Sequence, residues 1–106
     1  MRKGDETIMI RHIVLWKLKD EAMGNDRDAN AAIIKERLEG LVGKIDGLEL
    51  LKVNKNLAQG NYDLGLYSEV RDMDALKAYA VNPLHVEVKS FVKEVVSDMT
   101  AYDFEL

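Results

Sequence analysis

Three polar side chains in this sequence lie among apolar neighbours and have the chemistry to bind a ligand or move a proton. They are His12, Tyr79 and His85. His85 falls in the first turn of a predicted helix that starts at Pro83, and a helix N-terminus disfavours a positively charged imidazole. We therefore expect His85 to be partly buried and neutral near pH 7. One ring nitrogen would be held by a nearby acceptor, and the other would be available to a ligand or, as in a general base, to a proton.

Each of the three side chains also has a purely structural interpretation. His12 could be a half-buried strand residue bonded to a backbone carbonyl. Tyr79 could be a core aromatic residue with its hydroxyl at the surface, and His85 could simply shape the start of its helix. At this point the sequence leaves both interpretations open for each residue.

The spacing of Tyr79 and His85 decides whether they can share a site. They are six residues apart. In an unbroken helix, at about 100° per residue, this spacing rotates one side chain about the axis by about 600° relative to the other, which is about 240° once a full turn is subtracted. Their rings would then lie on different faces. Asn82 and Pro83 between them are typical of an N-cap followed by the first residue of a new helix. We expect this break to bring both rings to one side.

The composition excludes several other kinds of site. The chain of 106 residues has no cysteine, which removes disulfides, thiolate catalysis, iron–sulfur clusters and cysteine-based zinc sites. Only two histidines occur and the common nucleotide-binding and hydrolase motifs are absent, so we predict neither a metal site nor a cofactor. The run Asp26-x-Asp28-x-Asn30 begins like a calcium loop, but Ala31 and Arg37 stand where glycine and glutamate are needed. A helix N-terminus explains this run better.

The charges are those of an ordinary acidic globular protein. There are 15 Lys and Arg against 19 Asp and Glu, a formal net charge of −4, which argues against a nucleic-acid partner. No run of about 20 apolar residues or signal peptide is present, so we expect a cytoplasmic protein without a membrane partner. The charged residues at positions 35–37 and 39 are predicted to form a solvated helix face.

The hydrophobic pattern predicts seven elements in the order β-α-β-β-α-α-β. The predicted strands are residues 8–18, 48–54, 62–70 and 98–106, and residues 19–25 are predicted to be a loop. The predicted helices begin near residues 26, 72 and 83, and the first runs to about residue 43. This order indicates an α+β, ferredoxin-like fold with a four-stranded antiparallel sheet and helices on one face.

The first predicted strand is apolar on both faces. Val14 and Trp16 share one face with His12, whereas Ile13 and Leu15 lie on the other. Helices can cover only one face, and an exposed apolar sheet would be a large adhesive patch. A two-fold dimer that packs sheet against sheet would bury this patch, so we predict a homodimer.

Two segments of the sequence carry a family likeness. The first is Met9-Ile-Arg-His-Ile-Val-Leu-Trp-Lys-Leu-Lys-Asp-Glu-Ala22. The second is Tyr79-Ala-Val-Asn-Pro-Leu-His85, followed by a helix and a terminal strand with Tyr102-Asp103-Phe104. Together they resemble the stress-responsive A/B barrel domain family, also called Dabb. The resemblance implies a Dabb domain at residues 9–106, an N-terminal extension at residues 1–8, and assembly into a dimeric α+β barrel.

The resemblance also implies roles for individual residues. One plant branch of the family is a polyketide cyclase that closes an aromatic ring by intramolecular aldol condensation. Its base histidine matches His85, its partner tyrosine matches Tyr79, and its strand histidine matches His12. A further pocket histidine of that branch falls at about Leu64, so this chain departs from the pattern there. His12 and Trp16, on one strand face, are expected to contact a small-molecule ligand.

Three hypotheses for the function follow. The leading one is a small dimeric Dabb protein with a small-molecule pocket between sheet and helices, in a family linked to stress. The first alternative is a cofactor-free, polyketide-cyclase-like enzyme in which His85 is the general base and Tyr79 polarises a carbonyl. The second is a structural or assembly protein without a ligand. A cavity that reaches both Tyr79 and His85 favours the first two, and a packed interior favours the third.

Overall fold

The structure is a computed structural model that describes residues 9–106. The predicted extension at residues 1–8 lies outside the described residues. Of the helices in residues 9–106, none combines the length and apolar character needed to span a bilayer. The elements, in chain order, are β1 (Ile10–Leu18), β2 (Glu21–Ala22), β3 (Asn25–Asp26), α1 (Arg27–Glu39), β4 (Leu48–Lys55), β5 (Leu64–Val70), α2 (Met73–Val81), α3 (Pro83–Val95) and β6 (Val96–Glu105).

Four strands form one antiparallel sheet in the order β4-β5-β1-β6. The first strand, β1, therefore lies inside the sheet, and β6 forms one of its edges. The predicted α+β, ferredoxin-like fold with a four-stranded antiparallel sheet is confirmed.

Some element boundaries differ from the prediction. Residues 19–25, predicted as a loop, form most of a short β2–β3 hairpin. This hairpin is held by the fully buried Asn30, whose Nδ2 donates to the carbonyl oxygen of Ala22 at 3.0 Å. Helix α1 ends at Glu39 because Gly40 closes its last turn onto the carbonyls of residues 36 and 38. Strand β5 starts two residues later than predicted, at residue 64, and β6 starts two residues earlier, at residue 96.

One face of the sheet carries the hydrophobic core. All three helices and β1, β4 and β5 contribute to a single buried cluster. The members from β1 are Ile10, Val14, Trp16 and Leu18, the alternate residues of that strand. His12 belongs to the same alternating set, so the core side of the sheet is also the side on which the candidate site must lie.

The opposite, helix-free face of the sheet is also partly apolar. The strand register aligns Tyr67, Ile13 and Tyr102 in one row across β5, β1 and β6. Leu15 lies in the next row, beside Gly65 and Thr100. Ile13 and Leu15 are half-buried, and Tyr102 is 65% exposed. The predicted two-sided character of β1 is therefore present in the structure.

Glu39 corrects the prediction of a solvated helix face. Its carboxylate accepts hydrogen bonds from the ammonium of Lys35 at 2.8 Å and from the backbone N–H of Val53 at 2.9 Å. Burial by itself would raise the pKa of Glu39, but these bonds and the nearby lysine charges outweigh burial and lower it. On the same helix, the Arg37 guanidinium lies 4.9 Å from the centre of the Phe91 ring. Part of this face therefore joins α1 to β4 and α3.

Candidate functional site

The first wall of the site is built by the pairing of β1 with β6. In this register His12, Val14 and Trp16 stand opposite Asp103, Ala101 and Met99, respectively. Since all three pairs are two residues apart, their side chains lie on one face of the sheet, the face that carries the core. The predicted ligand-binding residues His12 and Trp16 are thus neighbours on one wall.

The second wall is built by the break between α2 and α3. Asn82 ends α2 and also caps α3, because its side-chain oxygen accepts a hydrogen bond from the backbone N–H of Leu84 at 2.9 Å. Pro83 is the first residue of α3, as the sequence predicted. Across this break the rings of Tyr79 and His85 stack, with their centroids 3.9 Å apart and their planes 22° from parallel. The break therefore brings the two rings together, as expected.

The hydrogen bond of His85 defines its protonation state. Its Nδ1 lies 3.0 Å from the carbonyl oxygen of Tyr79, and a carbonyl can only accept, so Nδ1 carries the hydrogen. Burial lowers the pKa of His85, and the charge of Lys89 lowers it further, while the carbonyls of Tyr79 and Ala80 oppose this. The ring is therefore neutral at pH 7, and its Nε2 has a lone pair with which to accept a proton or a hydrogen bond.

The hydroxyl of Tyr79 is the polar atom that most needs a partner. Tyr79 is only 2% exposed, and its hydroxyl is buried without a hydrogen-bond partner among residues 9–106. Burial also raises the pKa of Tyr79 well above its ordinary value, so the hydroxyl keeps its hydrogen at neutral pH. The structural interpretation that placed this hydroxyl at the surface is wrong. A buried donor without a partner is costly, typically about 1–3 kcal/mol, unless a ligand or water satisfies it.

His12 is oriented by a residue that sequence reasoning missed. Its Nδ1 donates to the carboxylate of Asp103, which stands directly opposite on β6. The backbone of His12 is also held, because Ser68 donates its hydroxyl hydrogen to the His12 carbonyl at 3.2 Å. The His12 ring meets the Tyr79 ring edge to face, with centroids 6.4 Å apart. His12, Tyr79 and His85 therefore form one connected aromatic cluster.

These side chains line a cavity of about 860 Å³, which is open to solvent. This volume lies within the range of about 300–1,000 Å³ that is usual for small-molecule sites. All four predicted site residues, His12, Trp16, Tyr79 and His85, are on its lining. Leu64, where the plant cyclases have a further histidine, is buried beside Trp16 and is not part of the lining. No cluster of three or more potential metal ligands occurs in the described part of the chain.

The protein family of this chain is shown by a match over nearly the whole sequence. Residues 10–106 match the stress responsive A/B barrel domain family, Dabb, and the chain belongs to this family. The resemblance seen in the two sequence segments is therefore confirmed.

Three similar proteins are described as uncharacterised or of unknown function. An uncharacterised protein of Streptomyces coelicolor is 38% identical over 79 residues, which make up 73% of this chain and 79% of that protein. A dimeric ferredoxin-like protein of unknown function from Bacteroides fragilis is 31% identical, over 92% of this chain and 96% of the other, with a TM-score of 0.82. A second dimeric ferredoxin-like protein of unknown function, from Thermobifida fusca, is 26% identical over 93% and 92%, with a TM-score of 0.79.

Proposed function

We propose that this Dabb-domain protein is a homodimer that binds a small, largely apolar molecule in the cavity between the sheet and α2 and α3. The observation that carries the proposal is the buried Tyr79 hydroxyl, which has no partner among the described residues and belongs to a side chain on the cavity wall. A ligand with an oxygen near this hydroxyl would supply the missing acceptor. His12, Trp16, Tyr79 and His85 are the proposed contact residues.

The chemistry of the cavity limits the ligand. Tyr79 offers a hydrogen-bond donor and His85 offers an acceptor at Nε2, on two rings whose centroids are 3.9 Å apart. Much of the remaining lining is apolar, with Val14, Leu66 and Leu76 among its members. The ligand that fits is therefore an apolar molecule with a hydroxyl group, or with a carbonyl next to an acidic C–H.

A second candidate is a cofactor-free enzyme that moves a proton at such a carbon. The state of His85 supports this enzyme hypothesis. Its Nδ1 hydrogen is bonded to the Tyr79 carbonyl, so Nε2 is the basic nitrogen of the ring. His85 would remove the proton, while the Tyr79 hydroxyl would donate to the carbonyl oxygen and stabilise the negative charge that develops there. The third hypothesis, assembly without a ligand, is less well supported by a chain with an open cavity at these residues.

The homodimer is proposed from the helix-free face of the sheet. Ile13, Leu15, Tyr67 and Tyr102 give this face its apolar character, and two of the similar solved structures are dimers of the same fold. Packing the faces together would bury these side chains, and obligate interfaces of this type usually exceed about 2,000 Å². The cytoplasmic location stays a prediction from the sequence.

The cavity can be tested with a neutral fluorescent dye, N-phenyl-1-naphthylamine, whose emission rises in apolar surroundings. We expect the wild-type protein to bind it, and Ala101→Trp to bind it at least about tenfold more weakly, because Ala101 lies on the cavity wall and the indole would occupy space that the dye needs. Ala78→Trp, on the exposed side of α2, is the matched control and should bind the dye like the wild type. Absence of dye binding in the wild type, or equal binding by both variants, would contradict the proposal.

A further inference from the structure

Two lysines of α3 lie on the cavity wall beyond His85. Lys89 and Lys93 follow His85 by four and eight residues and line the same cavity. At about 1.5 Å per residue, they stand about 6 Å and about 12 Å further along the helix axis. The cavity therefore has a polar end at Tyr79 and His85, and two exposed lysines on its wall about one and about two turns further along α3.

Neither lysine has an ion-pair partner in residues 9–106. Some basic residues are paired, such as Lys35 with Glu39, Lys55 with Asp28 and Arg71 with Asp46, and the lysines on the cavity wall are not among them. Two like charges four residues apart on a helix repel each other. In a chain with a net charge of −4, two unpaired lysines beside one cavity are a local concentration of positive charge.

Two acidic residues on the cavity wall form no ion pair with these lysines. Asp103 accepts a hydrogen bond from His12, and Asp98 accepts one from the backbone N–H of Met99 at 2.9 Å. Neither lies within ion-pair distance of Lys89 or Lys93. The positive charge of the two lysines is therefore available to a molecule in the cavity.

From this arrangement we infer that the ligand is a carboxylic acid with an apolar body, its carboxylate bound by Lys89 and Lys93. The inference rests on the proposed function and specifies its ligand class. The apolar body would pack against Val14, Trp16 and Leu66, and a polar group about 6–12 Å from the carboxylate would reach Tyr79 and His85. A single carboxylate suits this site better than a doubly charged phosphate, because Asp98 also lies on the wall and repels further negative charge.

The test is displacement of N-phenyl-1-naphthylamine by octanoate and by octanamide, which differ in charge but share their chain. We expect octanoate to displace the dye at about tenfold lower concentration, and the difference to shrink as salt is added. The double variant Lys89→Gln/Lys93→Gln should lose this preference, yet still bind the dye. Lys77→Gln, an exposed lysine on α2 outside the cavity, is the matched control and should keep the preference.

The outcomes separate this inference from the proposed function. Dye binding with equal displacement by octanoate and octanamide would overturn the carboxylate inference and leave the pocket intact. So would a preference for octanoate that survives in a folded Lys89→Gln/Lys93→Gln variant, or tighter binding of octyl phosphate than of octanoate. Absence of any dye binding and of any heat stabilisation by octanoate would overturn both proposals.

Discussion

Replacing Leu15 with Asp is expected to convert the proposed homodimer into a monomer. Leu15 lies on the helix-free face of β1, between Gly65 and Thr100 on the neighbouring strands. In a dimer that packs sheet against sheet, the new carboxylate would be buried without a partner, at a cost of several kcal/mol. Since each 1.4 kcal/mol changes an equilibrium constant tenfold, the dissociation constant should rise by at least about 100-fold. Sedimentation velocity at micromolar concentration measures the change.

Leu84→Asp is the control for this experiment. It makes the same chemical change at a partly exposed position on α3, away from the helix-free face, where an acidic residue in the first turn is well tolerated. We expect it to sediment as the wild type does. A wild-type protein that is a stable monomer, or a folded Leu15→Asp variant that remains a dimer, would contradict the proposed interface. Circular dichroism of each variant shows whether it is folded.

Two substitutions of His85 distinguish its hydrogen bond to the Tyr79 carbonyl from its proposed role in ligand binding. The amide of Asn can donate to the Tyr79 carbonyl in place of Nδ1, but it has no basic nitrogen, whereas Ala removes both functions. We expect His85→Asn to be nearly as stable as the wild type and His85→Ala to lose about 1 kcal/mol of unfolding free energy. Both should bind 4-butylphenol about tenfold more weakly, because they cannot accept its hydrogen at Nε2.

The affinities are measured by displacement of N-phenyl-1-naphthylamine, and the stabilities by urea unfolding. The dye should still bind to both variants, which shows that the cavity itself is intact. If His85→Ala unfolds while folded His85→Asn binds 4-butylphenol as the wild type does, His85 is a structural residue that joins α3 to the end of α2. The proposed role of its Nε2 would then have to be dropped.

The break between α2 and α3, which brings the rings of Tyr79 and His85 together, could be predicted because its causes are local. Asn82 as a cap and Pro83 as the first helical residue act within a few positions of each other, and their effect does not depend on distant parts of the chain. The alternation along β1 is equally local, and it placed His12 and Trp16 on one face. The β2–β3 hairpin could not be predicted in this way, since it depends on the buried amide of Asn30 from the following helix.

Asp103 was missed because its importance depends on strand register. Asp103 belongs to the segment that carries the family likeness, but nothing in the sequence of β6 shows that it stands opposite His12 on β1. Register between strands far apart in the chain is set by tertiary packing. The two lysines of the cavity wall, unlike Asp103, have a signal within one helix. The spacing of His85, Lys89 and Lys93 is that of one helix face, so this signal was present in the sequence.

The most direct test of the proposed pocket is an isotope-filtered nuclear Overhauser measurement on the labelled protein with unlabelled 4-butylphenol. The distances found between ligand and protein protons locate the ligand without relying on any substitution. The structure predicts contacts from the bound phenol to the ring protons of Tyr79, His85 and Trp16, which line one cavity. Contacts confined to the helix-free face around Ile13 and Tyr102, or to residues outside the cavity, would contradict the proposed site.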